Sequence, residues 1–195
     1  WDLKRLVRYI VTSDTYRQSS GPVPEQDPQN RLFSVMNRKR LDFEAMRDSM
    51  LFVSHDLDLS MGGRSVKLTK QPFPLRRAVY GYVDRQNIPA LLRTFDFSNP
   101  NIHTPSRPET TVPQQALFAL NDPFVVARAE SVARSLTGSI PKVAIESLFR
   151  RILLREPEAA DVKATLAFFG EEASFSELTD LAQALLVSNE FFFVD

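Results

Sequence analysis

Stripes of apolar residues at helical spacing run through the second half of this chain, and they constrain its fold more than any other feature. The stripes are Val125, Ala129, Val132, Ala133 and Leu136; Ile145, Leu148, Phe149 and Ile152; Val162, Leu166 and Phe169; and Leu178, Leu181, Ala182, Leu185 and Leu186. Apolar residues spaced three and four apart are typical of amphipathic helices that bury one face. No repeat of fixed period accompanies the stripes, so residues 113–195 predict a helical bundle and not a solenoid.

Capping residues indicate where these helices begin. Thr111 precedes Gln114 by a capping-box spacing, with Pro113 in the first turn. Asp122 followed by Pro123 predicts a second start, and Ser176 is the predicted cap of the last long helix. We interpret the run Phe191, Phe192 and Phe193 as a final helical turn that packs against the rest of the domain.

The first 63 residues predict a group of N-terminal helices. Asp2 is a plausible N-cap for an apolar stripe that extends to Val11, and Asp42 for a stripe that extends to Leu57 and stops at Gly62 and Gly63. Asn30 is the predicted cap of a short helix between them. His55 falls near the end of the second stripe, where a helix dipole favours a cation, so we assign it a structural role.

Residues 64–112 form an irregular centre. We expect a short extended piece over residues 78–83 because they are rich in Val and Tyr, and a short helix capped by Asn87. From Asp96 to Val112 no helical or alternating period is present, and the apolar segments on both sides argue against disorder. The sequence therefore predicts a single, mainly α domain over residues 1–195, with a long ordered central loop and at most a short β piece.

Composition excludes several classes of protein and site. The chain of 195 residues is 43% hydrophobic and 25% charged, which is typical of a globular domain. It has no Cys, so it contains no disulfide, no thiolate metal site and no C-x-x-C-H haem attachment. No apolar run is long enough to span a membrane. Neither a phosphate-binding glycine motif, a G-x-S-x-G elbow nor an H-E-x-x-H metal motif is present.

The centre and its borders carry the residues most suited to ligand recognition. Guanidinium groups and side-chain amides recognise anionic or sugar-like groups through paired hydrogen bonds. The candidate ligand-binding residues, which include one carboxylate, are Arg85, Asn87, Arg107, Glu109, Gln114 and Gln115. His103 shares the loop with Asp96 and Glu109 and could bind a metal or perform acid–base chemistry, but their spacing matches no ligand pattern. The simpler interpretation, an internal network of ion pairs and hydrogen bonds that ties the loop down, is favoured.

Several stretches in the same order resemble one known family. They are LVRYIVTSDTYRQSS, NRLFSVMNRKRLDFEAMRDSML, RRAVYGYVDRQNIPALLRTFDFSNPN, RPETTVPQQALFALNDPFV and LFRRILLREPEAADV. Together they resemble the planctomycete-specific family known as domain of unknown function 1553, over nearly the whole chain. The departures are a short segment between Met61 and Arg76 and a C-terminus that only approximates the family's Asn-x-Glu-Phe ending.

The resemblance implies a setting and no activity. Family members are typically the C-terminal part of large exported proteins that often carry a cytochrome-c-like module, so we expect an extracytoplasmic fragment of a larger protein. Haem, if present, would be bound by another domain. The implied partners are neighbouring domains of the same protein, carbohydrate or another exported protein.

Two functions follow as hypotheses. The first is a non-catalytic binding or scaffolding domain whose ligand face is formed by residues 85–115. The alternative is an accessory part of a hydrolase or polysaccharide-acting site that a neighbouring domain completes, with Asp96, His103 or Glu109 as acid, base or ligand. A nucleic-acid surface over residues 38–40 and 64–77 is disfavoured, because Lys+Arg and Asp+Glu are 24 each and such a surface needs one continuous basic face.

Overall fold

Helices make up most of the regular structure in the computed structural model, which describes residues 2–170 and 172–194. In chain order they are Leu3–Val11 (α1), Phe43–Val53 (α2), Ala90–Thr94 (α3), Pro113–Asn121 (α4), Pro123–Arg134 (α5), Pro141–Ile152 (α6), Ala159–Leu166 (α7), Phe175–Leu186 (α8) and Asn189–Phe192 (α9). A 3-10 helix covers Ala78–Tyr80. Strands Lys39–Arg40 (β1) and Phe193–Val194 (β2) pair antiparallel, with Lys39 opposite Val194. The prediction of a mainly α fold with at most a short β piece is confirmed.

The chain divides into two compact units. Of the described residues, 2–40 and 193–194 form the first unit, which contains α1, β1 and β2, and 41–170 and 172–192 form the second. The predicted sub-region 1–63 therefore contributes to both units, whereas the predicted centre, 64–112, lies entirely in the second. The described part of the predicted bundle, 113–195, lies in the second unit except for Phe193 and Val194.

Within the first unit, Asp2 caps α1 as predicted, since its carboxylate accepts a hydrogen bond from the Arg5 N–H at 3.0 Å. The predicted helix after Asn30 is wrong. Asn30 has a positive φ of 50°. Its amide Nδ2 donates to the Val35 carbonyl at 2.7 Å, and Asp27 accepts from the backbone N–H of Leu32 at 2.7 Å. Asn and Asp side chains that bond nearby backbone groups compete with helix formation, and here these bonds replace the predicted helix with a turn.

The core of the second unit is built around the pair α5 and α8, which pack against each other along their apolar stripes. Helices α4 and α2 contact α5, and α6 contacts α8. The stripe residues Val125, Val132 and Leu178 are fully buried, as are Ile145 and Leu148 of α6. Burying such side chains stabilises the fold by about 1.5 to 3 kcal/mol each. The predicted C-terminal bundle therefore forms the larger part of this core.

Helix α2 ends earlier than predicted because a tight C-terminal motif stops it. The backbone N–H of Asp56 donates to the Leu51 carbonyl at 2.9 Å, and that of His55 to the Phe52 carbonyl at 3.0 Å. These two bonds form a Schellman motif, which requires a left-handed residue after the cap. His55 occupies that position with φ 60°. Its structural role is thus to end the helix, well before Gly62.

Other boundaries differ from the prediction by one or two residues. Helix α3 starts after Pro89, not at Asn87, and Val112 precedes α4 where Thr111 was predicted. Ser174, not Ser176, caps α8, because the Ser174 hydroxyl accepts from the Glu177 N–H at 3.3 Å while the Glu177 carboxylate accepts from the Ser174 N–H at 3.0 Å. This reciprocal pair is a capping box, whose three-residue spacing Ser176 lacks.

The predicted extended piece over residues 78–83 begins instead as the 3-10 helix Ala78–Tyr80. Only Gly81 forms a bridge, parallel to Val66. A Cβ on Gly81 would lie 2.5 Å from Leu68 Cδ1 and 2.9 Å from the Ala78 carbonyl oxygen, so the close approach of these backbones requires glycine.

No helix within the described residues combines the length and the apolar character that a membrane crossing requires.

Replacing Leu154 with Gly is expected to raise the free energy of unfolding by about 1 kcal/mol, because only glycine adopts the left-handed region without steric cost. Leu154 follows the C-terminal cap of α6 with φ 58° and is 84% exposed, so its side chain contributes little packing. Denaturant unfolding measures the change. Leu154→Ala is the matched control, since it removes the side chain but keeps the strain. Equal stability of both variants would contradict this explanation.

Candidate ligand-binding site

The central segment, residues 96–112, connects the end of α3 to the start of α4. Its first residue, Asp96, has φ 59° and ends α3 in a Schellman motif, in which the Phe97 N–H donates to the Leu92 carbonyl at 3.0 Å. Asp is one of the few residues that tolerate this conformation, because its short polar side chain can bond locally. The segment therefore leaves α3 in a defined direction.

Side chains near both ends of the central segment bond to each other. Asp96 accepts from the Thr110 backbone N–H at 2.9 Å and from the Thr110 hydroxyl at 2.6 Å. The Gln115 side chain is buried, and its Nε2 donates to the carbonyls of Thr94 at 2.8 Å and Thr110 at 3.1 Å. Gln115 thus joins the last residue of α3, Thr94, to a residue near the far end of the segment. Two of the predicted ligand residues, Asp96 and Gln115, act here as internal ties.

Arg107 attaches the middle of the central segment to α2. Its two terminal nitrogens each donate to one carboxylate oxygen of Glu44 at 2.8 Å, and its guanidinium lies over the ring of Phe97, 5.2 Å from the centroid. Burial alone would raise the pKa of Glu44, but the hydrogen bonds and charge of Arg107 outweigh it and hold the pKa below its usual value. A two-fold Arg–carboxylate bond is the strongest geometry for such a pair.

Separating Arg107 from Glu44 is expected to cost about 1 kcal/mol of coupling energy, because both side chains are partly exposed and water screens the pair. A double-mutant cycle with Glu44→Gln and Arg107→Gln measures this coupling. Since the folded-state pKa of Glu44 is lowered, its contribution to stability is complete above the unfolded-state pKa and is lost as the pH falls through the folded-state value. Unfolding curves in acid should therefore show a smaller pH dependence for Glu44→Gln. A coupling energy of zero would contradict the assignment.

The other predicted ligand residues are exposed. They are Arg85, Asn87, His103, Glu109 and Gln114. The structure does not gather His103 and Glu109 around Asp96 as a metal site: within residues 2–170 and 172–194 no group of three or more His, Cys, Asp or Glu is close enough to hold a metal ion. Asn87 lines a small cavity of about 260 Å³ together with Tyr82 and Asp84.

Beside the central segment, an open cleft of about 570 Å³ lies against α2 and the 3-10 helix. Its apolar wall consists of Leu68, Val79, Val83, Leu92 and Phe97. Its charged residues are Asp42, Glu44, Asp48, Arg77 and Arg107. A cleft of this volume, with an apolar wall and a few charged groups, is typical of sites for small ligands. Of the predicted ligand residues, Arg107 alone lines the cleft, and there its guanidinium bonds both carboxylate oxygens of Glu44.

Asp48 joins the cleft to the buried side of α2. Its two carboxylate oxygens accept from the Ala78 N–H at 2.8 and 3.0 Å, which fixes the 3-10 helix against α2. Burial raises the pKa of Asp48, although the Ala78 N–H and the positive charges of Arg47 and Arg77 act in the opposite direction. Asp48 therefore holds its charge at an energetic cost that those partners only partly offset.

Sequence reasoning missed Asp42, Glu44, Asp48 and Arg77, and one signal was available for two of them. Glu44 and Asp48 are four residues apart on α2, so they share a helix face opposite the buried Met46 and Met50. An acidic face on a helix whose other face is apolar is usually solvated, which is why the spacing alone does not indicate a cleft. Nothing in the sequence places Arg77 opposite that face, because the chain between them is irregular.

A family model described as "PSD1: Protein of unknown function (DUF1553)" matches residues 1–169. The chain belongs to this family. The match contains the whole central segment and every residue that lines the cleft, whereas α8 and α9 lie beyond it. The predicted family is thereby confirmed, and its description names no activity. Among curated proteins and among solved structures, no match was found.

Proposed function

We propose that this PSD1 domain is a non-catalytic binding or scaffolding domain whose ligand face is the cleft beside the central segment. The observation that carries the proposal is the way the segment is held. Asp96 and Gln115 tie its ends, and Arg107 fixes its middle to Glu44. A wall fixed before a ligand arrives loses little conformational entropy on binding, which favours affinity.

The partners in this proposal are neighbouring domains of a larger exported protein, with carbohydrate or another exported protein as further partners. The family resemblance supports this setting. Under the proposal the domain works outside the cytoplasm, and any haem is bound by a cytochrome-c-like module elsewhere in the same protein. Arg85, Asn87, His103, Glu109 and Gln114, all exposed, would then contribute to the surface around the cleft.

A methyl NMR screen of the 195-residue chain tests the proposal. Leu68, Val79, Val83 and Leu92 line the cleft and report on it, while the exposed Ile140 lies outside it and serves as a control. Soluble glycans and a library of small organic molecules are added in turn. We expect at least one compound class to shift the methyl signals of the cleft and leave that of Ile140 unchanged. If no compound shifts the cleft signals, and hydrogen exchange of residues 85–115 is the same in the longer parent protein, the proposal is wrong.

The alternative, an accessory hydrolase site, makes a different prediction for Asp96. In the binding proposal Asp96 is structural, so Asp96→Ala is expected to cost about 2 to 3 kcal/mol through two lost hydrogen bonds and a non-glycine residue left in the left-handed region. Asp96→Asn keeps an acceptor and tolerates φ 59°, so it should cost only about 1 kcal/mol. Thermal unfolding of both variants measures these effects. Glycan hydrolysis by the parent protein that disappears in Asp96→Asn while the fold is retained would favour the alternative.

A further inference from the structure

The charged groups of the cleft differ in how far they are already compensated. Glu44 is bonded through both oxygens to Arg107, and Asp42 lies 3.8 Å from the same guanidinium. Asp48 accepts from the Ala78 N–H and lies 3.3 Å from the buried Arg47. Every carboxylate of the cleft therefore has a cationic neighbour, although Glu44 and Asp42 share Arg107.

Arg77 is the exception among the arginines of the cleft. It is exposed, and within residues 2–170 and 172–194 its side chain makes no hydrogen bond or ion pair. Its positive charge lowers the pKa of Asp48 without a direct contact between the two side chains. Its neighbour in sequence, Arg76, is engaged within the fold. Its two terminal nitrogens donate to the carbonyls of Arg64 at 2.9 Å, Ser60 at 3.3 Å and Gly62, and its guanidinium lies over the Tyr80 ring, 4.0 Å from the centroid. Of two adjacent arginines, Arg76 is structural, whereas Arg77 lines the cleft and is exposed.

An apolar wall lies beside this guanidinium. Val79 follows Arg77 by two residues and is 70% exposed, and Leu92 and Val83 continue the apolar lining. The ring of Phe97 has Arg107 over it, so it offers no open face on that side for a stacked sugar ring. A guanidinium with free donors next to aliphatic surface matches a ligand that has a carboxylate at one end and an apolar body.

We propose that the cleft binds small amphipathic carboxylates, with the guanidinium of Arg77 holding the carboxylate and the apolar body lying against Val79, Val83 and Leu92. This inference rests on the proposed binding function and specifies the chemical class of its ligand. Arg77 presents two parallel N–H groups that fit both oxygens of a carboxylate. A neutral amide of the same shape has one acceptor oxygen where the carboxylate has two, and it lacks the charge.

The test compares 4-phenylbutanoate with 4-phenylbutanamide as probes of the full chain, with the methyl signals of Leu68, Val79, Val83 and Leu92 as the readout. We expect the carboxylate to bind at least about tenfold more tightly than the amide, the ratio that one charge-assisted hydrogen-bond pair supplies. Arg77→Gln should remove this preference. Arg93→Gln, which removes a charge from an exposed arginine outside the cleft, should keep it. Arg77 is exposed, and its side chain makes no hydrogen bond among the described residues, so replacing that side chain is not expected to affect folding.

Other outcomes have defined meanings. Equal binding of both probes, or an unchanged preference in Arg77→Gln, would overturn the inference and leave the binding function standing. If neither probe shifts the cleft signals while other compounds in the screen do, the ligand class is wrong and the site is right. If the whole screen fails, the proposed function fails with the inference. A carboxylate whose affinity does not fall as salt rises would also contradict it, since an exposed ion pair is screened.

Discussion

Replacing Arg47 with Ala is expected to lower the free energy of unfolding by about 4 kcal/mol, the largest loss that a single polar substitution should produce in this protein. Arg47 lies on α2 and is only 1% exposed. Its guanidinium donates to the carbonyls of Arg76, at 2.9 Å, and Pro74, and contacts Asp48 at 3.3 Å. It also lies over the ring of Phe124, 5.2 Å from the centroid. Removing it leaves two carbonyls and a half-buried carboxylate without their partner.

The charge and the packing of Arg47 can be separated. Arg47→Met fills most of the same space and removes only the donors, so it should cost less than Arg47→Ala by the packing component, about 1 to 2 kcal/mol. Arg93→Ala, an exposed arginine of α3, is the matched control and should change stability by less than about 0.5 kcal/mol. Denaturant unfolding gives all three values. A loss below about 1 kcal/mol for Arg47→Ala would show that water or neighbouring groups replace its bonds.

Arg47 also explains why the cleft exists. The carbonyls of Pro74 and Arg76 belong to an irregular, proline-containing stretch that has little regular hydrogen bonding of its own. Arg47 anchors this stretch from within the core, and Asp48 anchors the next residues through the Ala78 N–H. Two consecutive residues of one helix thereby position the strip that carries Arg77 and Val79. We therefore expect Arg47→Ala to weaken ligand binding in addition to lowering the free energy of unfolding.

The helical bundle could be predicted from the sequence because its determinants are local. The stripe of α5 and its Asp122 cap identify both the helix and its buried face, and the cap is confirmed by a bond from the Phe124 N–H at 2.8 Å. Capping chemistry is ambiguous where two candidates lie close together, as with Ser174 and Ser176. Both are serines near the start of α8, and only the three-residue spacing to Glu177 separates them.

The cleft could not be predicted because its determinants are not local. Arg107 and Glu44 are 63 positions apart, and the Asp48 carboxylate meets the Ala78 N–H across 30 positions. No period or spacing in the sequence encodes these pairs. Asp96, Arg107 and Gln115 are nevertheless among the residues that the sequence singles out in and beside the central segment. The favoured interpretation for such residues, an internal network, agrees with the bonds they make. For the exposed candidates, among them His103 and Glu109, a role in ligand binding remains a prediction.

Replacing Phe95 with Ala is expected to lower the free energy of unfolding by about 3 to 5 kcal/mol, the range for removing a buried aromatic ring. Phe95 is 4% exposed, and its ring centroid lies 5.4 Å from that of Phe43 and 5.3 Å from that of Phe118. These rings belong to α2 and α4, so Phe95 packs the end of α3 against both helices. The loss should come from the cavity left behind and from the missing aromatic contacts, of which the one with Phe118 is edge-to-face.

The effect of Phe95→Ala should reach the central segment, because Phe95 immediately precedes Asp96. Without the ring, the left-handed turn at Asp96 loses its anchor, and the Thr110 N–H that donates to Asp96 should exchange with solvent faster. Phe52→Ala is the matched control: Phe52 lies on α2 but is 65% exposed, so its loss should change stability by less than about 0.5 kcal/mol and leave Thr110 exchange unaltered. Hydrogen exchange and denaturant unfolding measure the two effects independently. If Phe95→Ala destabilises the protein but Thr110 remains protected, the turn at Asp96 does not depend on the Phe95 ring, and the aromatic cluster serves only the core.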